Sequence, residues 1–146
     1  MFIGRYEYSI DDKSRVSIPA KFREALSLSA DSRLILTILD GCIAAYPYQE
    51  WLQIQNNISA SGPKSKEQRA FLRYFFAGAT ECAFDKLGRV LIPQALKTDA
   101  QIQKNVVIVG VGKKIEVWAK EKWEEYYSKA DTSFTGESRT FEELGF

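Results

Sequence analysis

Two stretches of the chain, DDKSRVSIPAKFR at residues 11–23 and DKLGRVLIPQALK at residues 85–97, have closely similar sequences. Both place an Asp four residues before an Arg-Val pair, and both continue through Ile-Pro into a segment of good helix formers. A fixed separation between similar segments is the sign of a duplicated unit. The two stretches therefore predict that the chain contains two copies of one structural unit.

The similarity extends on both sides of these stretches. Asp11 and Asp85 lie 74 residues apart, and the same separation gives seven further identical pairs: Phe2/Phe76, Gly4/Gly78, Glu7/Glu81, Arg15/Arg89, Val16/Val90, Ile18/Ile92 and Pro19/Pro93. Further along, a separation of 72 residues pairs Ile43 with Ile115, Tyr46 with Trp118 and Trp51 with Trp123. A repeat of about fifty residues cannot bury its apolar faces alone, so the two copies are expected to pack together about a pseudo-twofold axis.

Each copy has the same local pattern of strand, turn, strand, helix, strand, turn and strand. Alternating apolar residues and β-branched runs predict the strands, and Asp- or Gly-containing tetrapeptides predict the first turns. Pro19 and Pro93 suit the first turn of a short helix. The second hairpins are predicted to turn at Asp40-Gly41 and Gly112-Lys113. This pattern predicts a mainly β protein with additional helices, of the α+β class.

The repeats divide the chain into four parts. We expect a first repeat over 5–48, a helical connector over 49–76, a second repeat over 77–120, and a C-terminal helix with an acidic tail over 121–146. The connector is aromatic-rich, and a cap at Ser65 is predicted to begin its second helix. The tail from Asp131 has few packing signals, and its last residues are expected to fray or to swap onto a neighbouring molecule; its charged residues are Asp131, Glu137, Glu142 and Glu143 against Arg139.

Composition excludes several classes of function. The chain of 146 residues contains no His and two Cys, Cys42 and Cys82, so it offers no Ser-His or Cys-His dyad and no Cys/His metal set. We therefore expect no enzymatic activity, no cofactor and no metal. No segment is long and apolar enough to span a bilayer, and a cytoplasmic protein with reduced thiols is expected. Lys and Arg number 20 against 19 Asp and Glu, so any affinity for a polyanion must come from local clusters.

Basic residues cluster at the two repeated turns. Lys13 and Arg15 follow Asp11, Lys86 and Arg89 follow Asp85, and further basic residues lie nearby at Arg5, Lys21, Arg23 and Lys97. Arg pairs bidentately with guanine in the major groove, and Lys neutralises phosphate. Asp11 and Asp85 suit an orienting role for the guanidinium groups. The residues alone leave a second interpretation open, in which each Asp–Arg pair only closes a hairpin turn.

The pattern D-x-x-G-R-V-x-I-P-x-x-L-[RK] in residues 85–97 resembles the AbrB-type DNA-binding module. Its duplication around an aromatic-rich connector resembles the MraZ family of bacterial transcriptional regulators, over roughly residues 1–130. The resemblance implies a swapped-hairpin, double-split β-barrel and homo-oligomeric rings. It also implies a nucleoid-associated regulator that binds short direct repeats in double-stranded promoter DNA of its own division and cell-wall gene cluster. The DNA-binding residues are then Arg15, Lys13, Arg89, Lys86, Arg5, Asp11 and Asp85.

One residue departs from the family pattern. Ser14 stands where the second repeat has Gly88, so a positive φ at this position would cost stability or change the first turn. An antitoxin-like protein-interaction module, whose tail binds a partner, is the alternative function. Val16, Ile18, Val90 and Ile92 are expected in the core.

Overall fold

The computed structural model describes residues 1–29, 31–136 and 138–145, and it shows a mixed α+β protein. The strands are β1 (Arg5–Ser9), β2 (Arg15–Ser17), β3 (Leu34–Leu39), β4 (Cys42–Pro47), β5 (Thr80–Cys82), β6 (Arg89–Leu91), β7 (Asn105–Val111) and β8 (Lys114–Ala119). The helices are α1 (Ala20–Ser27), α2 (Tyr48–Ala60), α3 (Lys66–Ala77), α4 (Gln94–Asp99), α5 (Lys120–Phe134) and α6 (Arg139–Glu143). The α+β class predicted from the sequence is thus confirmed.

The strands form one large and one small antiparallel sheet. The large sheet has six strands in the order β1-β7-β8-β4-β3-β5, and the small sheet pairs β2 with β6. The described strands form no closed barrel, because β1 and β5 lie at the edges of the large sheet and each pairs with one neighbour. The family resemblance implied a closed barrel, and the pairing of the described strands shows that this prediction is wrong.

Strands are exchanged between the two repeats. The first strand of each repeat pairs with the third strand of the other repeat, so β1 pairs with β7 and β5 pairs with β3. The registers agree: Tyr6 lies opposite Ile108, and the equivalent Thr80 lies opposite Leu36. Exchanging the repeats maps the strand order of the large sheet onto itself, as a pseudo-twofold axis requires.

Two strand pairs lie on this axis. The small sheet is centred on Val16 opposite Val90, which are equivalent positions of the two repeats. The middle of the large sheet is centred on Ala44 opposite Glu116, which are also equivalent. Ala44 is fully buried, whereas the Glu116 carboxylate pairs with Lys114 at 3.2 Å and accepts a hydrogen bond from Trp118 Nε1 at 3.1 Å. The axis therefore relates two very different side chains at this point.

The helices begin where the sequence predicts helix starts. Ser65 caps α3, where its hydroxyl accepts from the Gln68 backbone N–H and the Gln68 side chain accepts from the Ser65 backbone N–H. This reciprocal pair is a capping box. Pro19, Pro47 and Pro93 occupy the position before the first helical residue, one residue earlier than the first-turn position that we expected for Pro19 and Pro93.

The main core contains the residues that the repeated pattern predicts. Val16, Ile18, Val90 and Ile92 are each at most 2% exposed. Cys42 and Cys82 are buried, and burial raises the pKa of the Cys82 thiol to about 11. The two thiols thus behave as small apolar side chains.

A second cluster covers the opposite face of the large sheet. Side chains alternate along a strand, so Ile35 and Tyr46 point away from the main core. They pack with Trp51 of α2 and Phe75 of α3, and Thr37 Oγ1 donates to the Phe75 carbonyl at 2.5 Å. The two connector helices are thereby fixed on the half of the sheet formed by β3 and β4.

Candidate nucleic-acid interface

The turns between β1 and β2 and between β5 and β6 share one hydrogen-bond pattern. Asp11 Oδ1 accepts from the backbone N–H groups of Lys13 and Arg15, and Asp85 Oδ1 accepts from those of Leu87 and Arg89, all at 2.9 Å. In both turns the second carboxylate oxygen accepts from the arginine Nε at 2.8 Å. Each carboxylate therefore closes its turn and orients an arginine at the same time.

The two turns also have the same backbone conformation at the position that differs in sequence. Ser14 has φ of 61° and Gly88 has φ of 75°. Ser14 N–H donates to the Asp11 carbonyl at 3.0 Å, and Gly88 N–H donates to the Asp85 carbonyl at 3.1 Å. The first turn thus keeps the geometry of the second and places a serine in the left-handed region, which costs a non-glycine residue about 1–2 kcal/mol.

The electrostatics of the turns favour ionised carboxylates. Backbone hydrogen bonds from Arg15 hold the pKa of Asp11 below its ordinary value of 3.8, and backbone hydrogen bonds from Arg89 do the same for Asp85. The guanidinium groups add to this lowering through their hydrogen bonds and charges. Both carboxylates are therefore ionised at neutral pH.

The pseudo-twofold axis brings the two turns side by side. Ile18 N–H donates to the Gly88 carbonyl at 3.1 Å, and Ile92 N–H donates to the Ser14 carbonyl at 2.8 Å. The Arg89 Nη1 lies 3.6 Å from Asp11 Oδ2, so an ion pair crosses from one repeat to the other. The four residues Asp11, Arg15, Asp85 and Arg89 form one continuous surface group, which we call the paired turns.

Basic residues of α4 and of the equivalent helix α1 support the paired turns. Lys97 Nζ donates to the Ser14 hydroxyl at 3.1 Å. The equivalent Arg23 donates from Nε to the Ile18 carbonyl at 3.0 Å, and its guanidinium lies where a side chain on Gly88 would begin, 2.6 Å from the ideal Cβ position. When the repeats are aligned, Ser14 pairs with Gly88 and Arg23 pairs with Lys97. The sequence indicates these contacts through the fact that both positions differ between the repeats.

The other predicted residues lie in different settings. Lys13 and Lys86 are exposed at the tips of the two turns. Arg5 lies in β1, and its guanidinium carbon is 4.6 Å from the centre of the Tyr127 ring in α5. This cation–π contact ties Arg5 to the C-terminal helix. Leu87, which sequence reasoning did not include, is 69% exposed at the tip of the second turn.

The paired turns can offer hydrogen-bond donors to a ligand. Within residues 1–29, 31–136 and 138–145, the side-chain hydrogen bond of Arg15 uses only Nε, which leaves both terminal nitrogens available to a new acceptor. A guanidinium that a carboxylate holds through Nε, with both terminal nitrogens unused, suits bidentate recognition of a planar acceptor pair. The same described residues contain no cluster of three or more metal-ligating side chains and no helix that could cross a membrane.

Fold and site together define a protein made of two strand-exchanged α+β repeats that present a pair of Asp-anchored arginine turns. The family model with the description "MraZ protein, putative antitoxin-like" matches this chain twice, at residues 1–74 and 75–144. The chain belongs to the MraZ family.

Curated relatives match over nearly the whole chain. A protein of Caldanaerobacter subterraneus subsp. tengcongensis is 46% identical over 92% of both chains, and one of Thermoanaerobacter pseudethanolicus is 44% identical over 99% of both. A third, of Alkaliphilus metalliredigens, is 40% identical over 99% of both chains. Each is named "Transcriptional regulator MraZ". All three names describe a transcriptional regulator, and the prediction of a non-enzymatic protein is confirmed.

Proposed function

We propose that this protein regulates transcription by binding double-stranded DNA in a sequence-specific way through the paired turns. The observation that carries the proposal is that Asp11 and Asp85 orient Arg15 and Arg89 identically and next to each other. An oriented guanidinium donates two parallel hydrogen bonds to the O6 and N7 atoms of guanine. The names of the relatives support the regulatory role.

Lys13 and Lys86 complete the surface as phosphate contacts. Both are exposed at the tips of the turns that carry the arginines, and we expect them to meet the phosphate backbone of a bound duplex. Arg5, at the end of β1 away from the first turn, is proposed as a further DNA contact. Each phosphate that the protein neutralises contributes about −0.9 to the slope of log K against log salt, so binding is expected to weaken steeply with ionic strength despite the near-zero net charge.

The proposed target is a set of direct repeats in the promoter of the protein's own division and cell-wall gene cluster, bound by a ring of several copies at the nucleoid in the cytoplasm. Exposed aromatic residues support self-association. Phe71, Tyr74, Tyr126 and Tyr127 are each 45% exposed or more, and apolar surface of this kind marks interfaces. In a ring, tethering makes the second and later DNA contacts intramolecular, so weak single contacts add up to firm binding.

We also propose that the strand exchange makes each repeat, 5–48 and 77–120, a swapped-hairpin unit of the AbrB type. The pairing of β1 with β7 and of β5 with β3 supports this assignment. In this view the connector 49–76 and the segment 121–146 are additions to a duplicated DNA-binding core.

A protein-interaction module of the antitoxin type is the second candidate function. The description of the matching family model favours it, and the exposed side chains of Phe134, Phe141 and Leu144 in the acidic tail fit it. A pull-down with the tail from Asp131 onward as bait separates the two candidates, since a DNA regulator does not need a protein captured by this segment.

The test of the leading proposal is a footprint on the DNA upstream of the gene that encodes the protein, followed by gel-shift titration. We expect protection of regularly spaced repeats by the natural protein. The double variant Arg15→Ala/Arg89→Ala should lose this protection and keep its circular dichroism spectrum, because the substitutions remove base contacts and leave the core intact. Lys129→Ala is the matched control, since Lys129 lies exposed on α5, where it pairs with Glu125 one turn away at 3.0 Å. Equal affinity of the double variant and the control would refute the proposal.

A further inference from the structure

The small sheet has an open face beside the paired turns. Val16 and Val90, at the centre of this sheet, point into the core and are at most 1% exposed. Side chains alternate along a strand, so the opposite face carries the neighbouring residues Arg15, Ser17, Arg89 and Leu91. All four are at least partly exposed. This face of the two-stranded sheet, which we call the ribbon face, is therefore accessible to a ligand.

The register of the two strands fixes the neighbours on the ribbon face. Arg15 lies opposite Leu91, and Ser17 lies opposite Arg89. Residues directly opposite each other on one face of a sheet have Cβ atoms about 4.5–5.5 Å apart. Each arginine therefore lies next to one uncharged side chain, which is a leucine beside Arg15 and a serine beside Arg89.

Leu91 breaks the pseudo-twofold symmetry of the ribbon face. Its equivalent in the first repeat is Ser17, which is small and polar, whereas Leu91 is large, apolar and 58% exposed. The residues on either side of it, Val90 and Ile92, are each 1% exposed and supply the core contacts of this strand. An apolar group of a ligand that covers Leu91 would remove its side chain from water, which is favourable.

The shape and chemistry of the ribbon face suit the major groove of duplex DNA. This groove admits a two-stranded β-ribbon, and it presents the acceptor pair of guanine and the 5-methyl group of thymine as its one apolar feature. The adjoining segments 11–15 and 85–89 carry four basic side chains against three acidic ones: Lys13, Arg15, Lys86 and Arg89 against Asp11, Asp12 and Asp85. Two of the acids, Asp11 and Asp85, hold the arginines in place. The face thus combines oriented guanidinium donors with one apolar side chain.

We infer that Leu91 contacts the 5-methyl group of a thymine next to the guanine that Arg15 binds. Stacked base pairs are about 3.4 Å apart, so two side chains about 5 Å apart reach neighbouring base pairs. The inference rests on the proposed function, because the contact requires the ribbon face to lie in the major groove. Beside Arg89, the Ser17 hydroxyl can both donate and accept, so it does not select thymine. The two halves of the ribbon face therefore select different bases.

Replacing thymine by deoxyuridine in the DNA tests the inference, because uracil keeps the hydrogen-bonding groups of thymine and lacks only its methyl group. The probe is the DNA segment protected in the footprint, prepared once with thymine and once with deoxyuridine throughout. The natural protein should bind the deoxyuridine duplex about fourfold more weakly for each methyl group that Leu91 covers. This ratio of affinities should be the same at low and at physiological salt, because apolar burial releases no counterions. A ratio of one would overturn the inference.

Leu91→Ser copies the first repeat and should bring the ratio to about one. Its circular dichroism spectrum should match that of the natural protein, since Leu91 is exposed. Leu28→Ser is the matched control, because Leu28 is a leucine that is 90% exposed beyond the end of α1, and it should keep the natural ratio. Equal ratios in Leu91→Ser and in the control would assign the methyl dependence to another residue and would overturn the inference.

Deoxyuridine at one thymine at a time provides a second measurement, which needs only the natural protein. The loss of affinity should be confined to thymines next to a guanine that Arg15 contacts. Such a guanine is identified by 7-deazaguanine, which should weaken binding by the natural protein and leave binding by Arg15→Ala unchanged. An equal loss at every thymine would mean that the methyl groups act through the stiffness of the duplex, and would overturn the inference.

The outcomes separate this inference from the proposed function. If the natural protein binds both duplexes equally and Arg15→Ala/Arg89→Ala no longer binds, the inference alone is overturned. If the natural protein protects no DNA, or if the double variant binds as well as the natural protein, the proposed function is overturned together with the inference.

Discussion

The two turns of the repeats have the same hydrogen bonds but different surroundings. In the first turn Ser14 receives a hydrogen bond from Lys97, and in the second turn the bare Gly88 leaves room for the guanidinium of Arg23. The second difference concerns the arginines. Arg89 lies near two carboxylates, Asp85 at 2.8 Å and Asp11 at 3.6 Å, whereas Arg15 pairs with Asp11 alone among the residues described.

The comparison shows that two sequence differences between the repeats, one in the turn and one in the helix behind it, compensate each other. The planar guanidinium of Arg23 occupies space that a side chain at position 88 would fill. At the equivalent position of the first repeat, the smaller ammonium group of Lys97 donates to the Ser14 hydroxyl. The turn keeps the same geometry in both repeats because the change from Ser14 to Gly88 in the turn is matched by the change from Lys97 to Arg23 in the helix that contacts it. The arginines are not compensated in this way, so the two turns are expected to differ in DNA binding.

The largest expected effect separates Arg15 from Arg89 in DNA affinity. Arg15→Ala should cost about 1–3 kcal/mol for each arginine–guanine pairing that it removes, summed over the copies bound to one promoter. Arg89→Ala should cost less, because its Nη1 must leave Asp11 before it can donate to a base. Gel-shift titration against operator DNA measures both. Equal reductions in affinity would show that the second carboxylate does not distinguish the two arginines.

The next effect tests the symmetry of the core beneath the turns. Val16 and Val90 face each other on the pseudo-twofold axis and are at most 1% exposed. Val16→Ala and Val90→Ala should each destabilise the fold by about 2 kcal/mol, because apolar burial is reduced and a cavity is left behind. Urea unfolding of the two variants measures this. Free energies that differ clearly would mean that the asymmetry of the turns extends into the core.

Gly88→Ser tests the compensating pair directly. The new side chain would begin 2.6 Å from the Arg23 guanidinium in a backbone conformation with positive φ, so we expect a loss of about 1–2 kcal/mol and displacement of Arg23. Gly88→Ser/Arg23→Lys copies the first repeat and should recover part of the loss. Thermal unfolding of the single and double variants measures the coupling free energy between positions 23 and 88. If the second substitution adds its own loss, the two positions do not compensate each other.

A smaller effect is expected from the reverse change. Ser14→Gly removes the backbone strain of a serine at positive φ. It also raises the conformational entropy of the unfolded chain and removes the hydroxyl that accepts from Lys97, so the gain in stability should stay below about 1 kcal/mol. The melting temperature should therefore shift by a few degrees at most. A clear loss would show that the Lys97–Ser14 hydrogen bond outweighs the backbone strain.

The smallest expected effect is on the pH dependence of stability and concerns the two carboxylates. The folded pKa values of Asp11 and Asp85 lie below 3.8, so their contribution to stability is present above that pH and fades as the pH falls through the folded values. Asp11→Asn and Asp85→Asn should flatten the acid limb of a plot of melting temperature against pH. Asp11→Asn should have the larger effect, since Asp11 lies near two arginines. An unchanged acid limb in both variants would contradict this assignment.

The sequence predicted the parts of the fold that depend on local patterns. Alternation and turn residues identified the strands and the hairpins β3–β4 and β7–β8, and the cap at Ser65 placed the start of α3. The pattern was wrong for the first pair of strands in each repeat, because β1 and β2, and likewise β5 and β6, lie in different sheets. The pairing of β1 with β7 depends on contacts about a hundred residues apart, which no local pattern encodes. At the site, the spacing of Asp11 and Arg15 predicted their ion pair, whereas the approach of Arg89 to Asp11 follows from how β2 and β6 align across the axis.

The pair of Ala44 and Glu116 at the centre of the large sheet shows what a covalent link between the repeats permits. In a dimer of separate identical chains, a true twofold axis through this point would place the residue at this position opposite its own copy. Two glutamates there would repel each other, and two alanines would leave the space above the sheet to other side chains. Joining the two halves in one polypeptide removes that restriction. The two repeats can then carry different residues at equivalent positions. Here Glu116, with its partners Lys114 and Trp118, lies opposite the methyl group of Ala44.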